Sequence, residues 1–164
     1  VQGLEEARQR EVLARWSLGA PGRALTLARR GGVAMRAMIV DLVAGHLGPD
    51  DAGQTFWGLE GEFPGKSAPA QRRTRARALM DLALEWLMDG RRQAARVPLG
   101  DLAHGDVLAP LTSVSPGDLD SCVERVLQAR QDASLNISPE ILTERVLRAL
   151  ADLSTCSPAA ARRP

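Results

Sequence analysis

Tyrosine is absent from this chain, phenylalanine occurs only at Phe56 and Phe63, and Lys66 is the one lysine beside 20 arginines. The preference for arginine and alanine reads as genome composition and says little about function. Cys122 and Cys156 stand 34 positions apart with no Cys-x-x-Cys spacing, which supplies neither a disulfide framework nor a zinc knuckle. A reducing, cytoplasmic setting is the expectation. No apolar run approaches the ~18 to 20 residues of a membrane helix, and the longest, Ala37 to Ala44, is broken by Asp41. The start Val1-Gln2-Gly3 has neither an initiator methionine nor a basic-then-apolar signal pattern, so a piece of something longer is expected, with chemistry carried ahead of Val1. The 21 basic and 20 acidic side chains leave a net charge of +1, which excludes an acidic disordered tail and an overall basic coat. Any basic patch must be local.

What is present is a chain of 164 residues, 45% hydrophobic, long enough for about one to one-and-a-half domains with a real core. Alternating β-branched and aromatic runs are missing, and apolar positions recur at three and four, so the reading is all-α. A first helix is expected over Glu5 to Trp16, with Leu4, Val12, Leu13 and Trp16 on one side, stopping at Leu18-Gly19 with a left-handed Gly19. A second runs from Pro21, suited to the first helical position, through Leu25, Leu27 and Ala28 to Arg29-Arg30. Gly31-Gly32 ends it and marks a candidate domain boundary. A third helix, Val33 to His46, carries Val33, Ala37, Val40 and Ala44 with Met38 and Leu42 beside them, and closes at Leu47-Gly48-Pro49. A short helix near Asp50 to Trp57 and an aromatic-pinned loop follow, in a glycine-rich stretch holding Phe56, Trp57 and Phe63. The longest helix, Pro69 to Ala95, is arginine and alanine in its first half and carries Leu79, Leu82, Ala83, Trp86 and Leu87 on one face of its second.

After a looser stretch from Val97 to Ser113, two helices begin alike. In Val114-Ser115-Pro116-Gly117-Asp118-Leu119 and Ile137-Ser138-Pro139-Glu140-Ile141-Leu142, serine is the N-cap, proline is the first helical residue, and an acid faces the helix dipole. Val114 with Leu119, and Ile137 with Leu142, have the spacing of a hydrophobic staple. Residues 154–164 read as a frayed, disordered tail.

Few motifs suggest chemistry. Gly65-Lys66-Ser67 is not a phosphate loop, because Glu60 stands where the pattern needs glycine and no strand precedes it. His46 and His104 are far apart and complete no metal-ligand set, so no metal site is expected. Cys122 falls on the apolar stripe of its helix and reads as an inert core thiol. Arg72, Arg73, Arg75 and Arg77, with Arg91, Arg92 and Arg96 beyond, form a basic cluster with no aromatic ladder nearby in sequence. A solvated face is the simpler reading; as nucleic-acid contacts they would grip phosphates without reading sequence.

Leu18-Gly19-Ala20-Pro21-Gly22-Arg23-Ala24-Leu25 resembles the Gly-Ser-Pro-Gly-Arg-Ala-Leu segment in the helical lid of bacterial DNA polymerase III clamp-loader subunits, most closely those of the delta-prime kind. Ala129 to Leu147, with Asn136, Pro139-Glu140 and a leucine-rich helix, resembles the closing helices of that family's C-terminal collar. The two segments bracket most of residues 12 to 152. The resemblance implies that residues 1–31 finish an AAA+ lid and that residues 33–153 form a helical collar. In that family five collars pack into a ring that holds the loader together while it opens the sliding clamp and places it on primed DNA.

Family members that hydrolyse ATP carry a sensor arginine where this chain has Gly22. Arg23 is one residue on, rotated by about 100° around the helix, which favours a non-hydrolysing, delta-prime-like subunit. Ala20 replaces the family's usual serine and removes the N-cap oxygen. No catalytic constellation stands in the sequence, so neither enzyme activity of this segment nor a cofactor is expected, and the resemblance implies partnership with the ATPase gamma/tau and delta subunits. Primer–template DNA and the sliding clamp would be met through the whole complex, with the segment alone monomeric. The rival expectation is a free-standing helical nucleic-acid-binding module working through Arg72 to Arg77.

Overall fold

Proline and serine mark where the helices of this chain begin. Pro21, Pro49, Pro69, Pro116 and Pro139 each stand in the first turn of a helix, where the missing N–H leaves no hydrogen bond unmade. A computed structural model describes residues 2–17 and 20–155, with side chains outside 2–6 and 8. Among these residues there are seven α-helices and no strand: α1 (Gln2–Trp16), α2 (Pro21–Arg29), α3 (Gly32–Val43), α4 (Pro49–Gly58), α5 (Ala68–Ala94), α6 (Pro116–Asp132) and α7 (Pro139–Thr155). The stretch between α5 and α6 is not featureless: it makes three 3₁₀ turns at Leu99–Asp101, Gly105–Val107 and Ala109–Leu111. The predicted stop at Gly19 lies outside the described residues, as does the predicted tail beyond residue 155. Ser154 and Thr155 belong to α7, their hydroxyls donating to the carbonyls of Ala151 and Asp152.

The two matching helix starts form as their sequences dictate. Ser115 Oγ accepts from Asp118 N–H at 3.1 Å, and Ser138 Oγ from Glu140 N–H at 3.2 Å. Val114, Leu119 and Leu142 are buried, and Ile137 packs half-buried against the same core. Ala20 caps α2 with extended dihedrals but offers no side-chain hydrogen bond, as the loss of serine requires.

The third helix differs from its sequence reading. It ends at Val43, three residues early, because Gly45 turns left-handed at φ +75° and sends the His46 and Leu47 N–H groups back to the Asp41 carbonyl. Its buried face is Met35, Met38, Ile39, Leu42 and Val43, whereas Ala37 is exposed and Val33, Val40 and Ala44 are only partly covered. The larger apolar side chains, not the alanines, take the inner face. Arg36, 5% exposed, lies beside that face with its charge paired by Asp106.

The core runs the length of α7, which packs against α3, α4, α5 and α6. Leu142, Val146, Leu147, Leu150 and Leu153 meet Leu79, Leu82, Trp86 and Leu87 of α5 and Leu119, Val123 and Val126 of α6 in one apolar cluster. The same cluster includes Trp16 of α1, fully buried, and its ring lies against Gly32. Gly31 N-caps α3 in the left-handed region at φ +64°, where an added Cβ would strike the Glu60 carbonyl oxygen.

Candidate functional site

Two carboxylates tie the first two helices to the rest of the molecule. Glu85, on α5, accepts the Trp16 indole N–H at 2.9 Å and the Arg23 guanidinium at 2.7 Å. Its Oε2 also lies 3.9 Å from Nε2 of His104, a fully buried imidazole that meets the Trp16 ring edge-on at 5.0 Å. Neither ring nitrogen of His104 has a hydrogen-bond partner, while its backbone N–H donates to the buried Asp89 carboxylate at 3.0 Å. Burial pushes the Glu85 carboxyl up, but His104, the Trp16 N–H and the Arg23 charge together hold it below its ordinary value. Asp106, in the second 3₁₀ turn, takes both arms of Arg36 at 2.9 and 3.0 Å, with Arg15 at 4.0 Å. Burial raises it too, and the Arg36 fork and charge outweigh that and leave it lowered. Of the two residues marked in the sensor segment, Gly22 is exposed with open space around it and Arg23 is committed to Glu85.

The basic head of α5 is arranged differently from a bare solvated face. Arg72 pairs with Glu140 at 2.6 Å, Arg73 donates to Asn136 Oδ1 at 3.2 Å, and Arg77 donates to the Ala133 carbonyl at 3.2 Å. Arg73 and Arg77 therefore clasp the connection between α6 and α7, and Arg72 the first turn of α7. Arg130 of α6 reaches back to Asp81 of α5 at 2.7 Å, and Arg145 of α7 to Asp132 at 3.0 Å. Glu140 is lowered first by its Ser138 hydrogen bond, against a rise from burial, and then by Arg72.

Arg75 is turned inward. It donates to the carbonyls of Trp57, at 3.2 Å, and Leu59, and its guanidinium lies 5.2 Å from the ring centres of Phe56 and Phe63 and 5.9 Å from that of Trp57. Desolvation lowers its pKa. Aromatic rings thus do stand beside the arginine cluster, brought there by the α4–α5 connection. The sequence carried a signal in the nearness of Phe56-Trp57, Phe63 and Arg75, but not the geometry that joins them. Glu85 and Asp106 went unmarked for the same reason: the side chains that hydrogen-bond to them, Trp16, Arg23 and Arg36, are 62 to 70 residues away.

Cys122 is a core thiol, 2% exposed, donating to the Ala149 carbonyl at 3.4 Å. Burial pushes it up to about 12, which leaves it without thiolate character near neutrality. Among the described residues no group of three His, Cys, Asp or Glu side chains is placed to hold a metal, and no helix is long and apolar enough to cross a membrane. An open cavity of about 510 Å³ lies between α2 and the α4–α5 connection, lined by Arg29, Arg30, Glu62 and Gln71 among others. No family model, no curated protein and no solved structure matches the chain. What stands is an all-helical body whose polar groups are arranged for holding elements together.

Proposed function

We propose that this chain is the end of the lid and the collar of a bacterial clamp-loader subunit of the delta-prime kind. In this reading residues 1–31 close the AAA+ lid, residues 33–153 form the collar, and the segment acts by packing helix faces against related subunits. One observation supports it above the others. The residues that carry the resemblance at the C-terminal end, Asn136 and Glu140, are the ones that receive Arg73 and Arg72, so the resembling motif coincides with the joint that fixes α5, α6 and α7 together. The Gly22 position and the engagement of Arg23 with Glu85 fit a subunit that does not read nucleotide phosphates through this helix.

The test is to mix the chain at micromolar concentration with the ATPase gamma/tau and delta subunits of its own clamp loader and measure mass by light scattering after gel filtration. Co-elution is expected, and separate elution contradicts the proposal. The nucleic-acid reading predicts instead salt-dependent DNA binding that collapses when Arg72, Arg73, Arg75 and Arg77 become glutamate. Each of those arginines already has an intramolecular partner, so phosphates would have to displace protein acceptors. Retention on DNA at low salt with no subunit binding would favour that reading.

A further inference from the structure

Most arginines of this chain are held by an acid, an amide or a carbonyl within the fold. Arg29, Arg30 and Lys66 are not: among the described residues their side chains have no hydrogen-bond or ion-pair partner. These three collect in one place. Arg29 and Arg30 line the open cleft of about 510 Å³ between α2 and the α4–α5 connection, and Lys66 follows two residues after Pro64 of its opposite wall. The volume is within the range of about 300–1,000 Å³ typical of ligand sites.

Counting the neighbours leaves the cleft positive. Glu62 is its one lining carboxylate and stands against two guanidinium groups. Glu60, next but one on the chain, is offset by Lys66, and Arg75 adds a charge 5.2 Å from the centre of the lining Phe63 ring. Asp81 and Glu85 share an adjoining pocket with Arg30 but already hold Arg130 and Arg23. The helix end does not cancel the surplus either. The carbonyls of Thr26, Ala28 and Arg29 accept the N–H groups of Arg30, Gly31 and Glu62, so the last turn of α2 offers few bare carbonyls to repel an anion.

The opposite wall is pre-built. The Thr74 hydroxyl donates to the Pro64 carbonyl at 2.9 Å and the Gln71 amide to the Gly65 carbonyl at 3.3 Å. A Cβ at Gly61 would strike the Arg30 backbone at 2.9 Å, and one at Gly65 the Gln71 nitrogen at 2.7 Å, so both ends of this wall are seated by close backbone approach. A cleft fixed in advance spends less of its binding energy on ordering itself.

We infer that this cleft binds a phosphorylated polyol of the size of a sugar phosphate. The phosphoryl group meets Arg29 and Arg30, whose planar forks suit its oxygens. A ligand hydroxyl donates to Glu62, and the carbon skeleton rests on Phe63 and Pro64. Glu62 disfavours an anion with no proton to donate, because its carboxylate is then left facing negative charge. The site lies at the opposite end of α2 from Gly22 and does not rest on the assembly reading. Its occupant braces α2, a helix with no buried residue of its own, against the α4–α5 connection.

Calorimetric titration of the whole chain with ribose 5-phosphate, ribose and sulfate tests the inference. Ribose 5-phosphate should bind about tenfold or more tighter than either control. Arg29→Gln and Arg30→Gln should each weaken it about tenfold or more, with the Tm of the free chain nearly unchanged because neither side chain has a partner to lose. Arg96→Gln, which removes another unpartnered arginine outside the cleft, should leave binding as it was. Glu62→Leu should narrow the margin over sulfate, and bound ribose 5-phosphate should slow amide exchange along α2. Sulfate or ribose binding equally well, both cleft variants binding as tightly as the parent, or Arg96→Gln losing as much as they do, overturns the inference. So does a single-stranded oligonucleotide that binds tighter than ribose 5-phosphate and loses affinity in the same two variants, which assigns the cleft to a nucleic-acid backbone instead.

Discussion

At the scale of single residues, the polar groups here are worth most where burial is unequal between partners. Arg36 is almost wholly buried, whereas the side chain of Asp106 keeps about a third of its exposure, at 30%. Removing the acid strands a buried cation; removing the cation leaves an acid that water can still reach. Asp106→Asn should therefore cost about 2–4 kcal/mol and Arg36→Met distinctly less, measured by urea unfolding. Equal losses would show that the pair behaves as a surface ion pair. Arg75 makes the second case. Its fork spans the carbonyls of Trp57 and Leu59 while three rings surround it, and lysine can offer neither the two-armed geometry nor the planar stacking. Arg75→Lys should destabilise by about 1–3 kcal/mol despite keeping the charge, whereas Arg73→Lys, at an exposed site, should change stability by less than about 0.5 kcal/mol.

At the scale of elements, helix ends were the most legible part of the sequence. Ser-Pro followed by an acid states a cap, a locked first residue and a dipole partner within four positions, so α6 and α7 could be placed from their first turns. Burial along α3 was less legible, because apolar spacing alone cannot show that an arginine will be buried with its charge paired by an acid 70 residues away. The loop after α5 was unreadable for a similar reason: its 3₁₀ turns are short, and Leu102, His104 and Leu111 are held by tertiary packing. Local caps also allow a direct test. Ala20 already has the extended backbone of a cap residue, so Ala20→Ser should stabilise α2 by about 1 kcal/mol and raise Tm. No gain would mean that the Ala20 N-cap geometry does not hold in solution.

At the scale of the whole molecule, Trp16, Leu13 and Leu27 pack the first two helices onto the core, and the Glu85 carboxylate adds hydrogen bonds to both. Glu85, Asp106 and Glu140 all sit below their ordinary values, so the folded state binds protons less readily than the unfolded chain. Their stabilisation is present in full above the ordinary values, 4.5 for Glu85 and Glu140 and 3.8 for Asp106, and is lost as pH falls through the lower folded ones. Tm should hold steady from neutrality down to about pH 5 and decline below it, and Glu85→Gln should shrink that decline. A Tm that falls equally in both proteins would remove Glu85 from the account. The candidate site was legible only in part. Arg72, Arg73 and Arg77 were visible as a cluster, but their acceptors lie where α6 gives way to α7, 56 to 68 residues further along the chain.

The proposal that this body is one member of a ring of related clamp-loader subunits is tested most directly by native mass spectrometry of the chain mixed with gamma/tau and delta subunits, which counts copies. A five-membered assembly holding a single copy of this chain is expected; a mixture in which the chain stays monomeric, or enters in several copies per ring, contradicts the proposal.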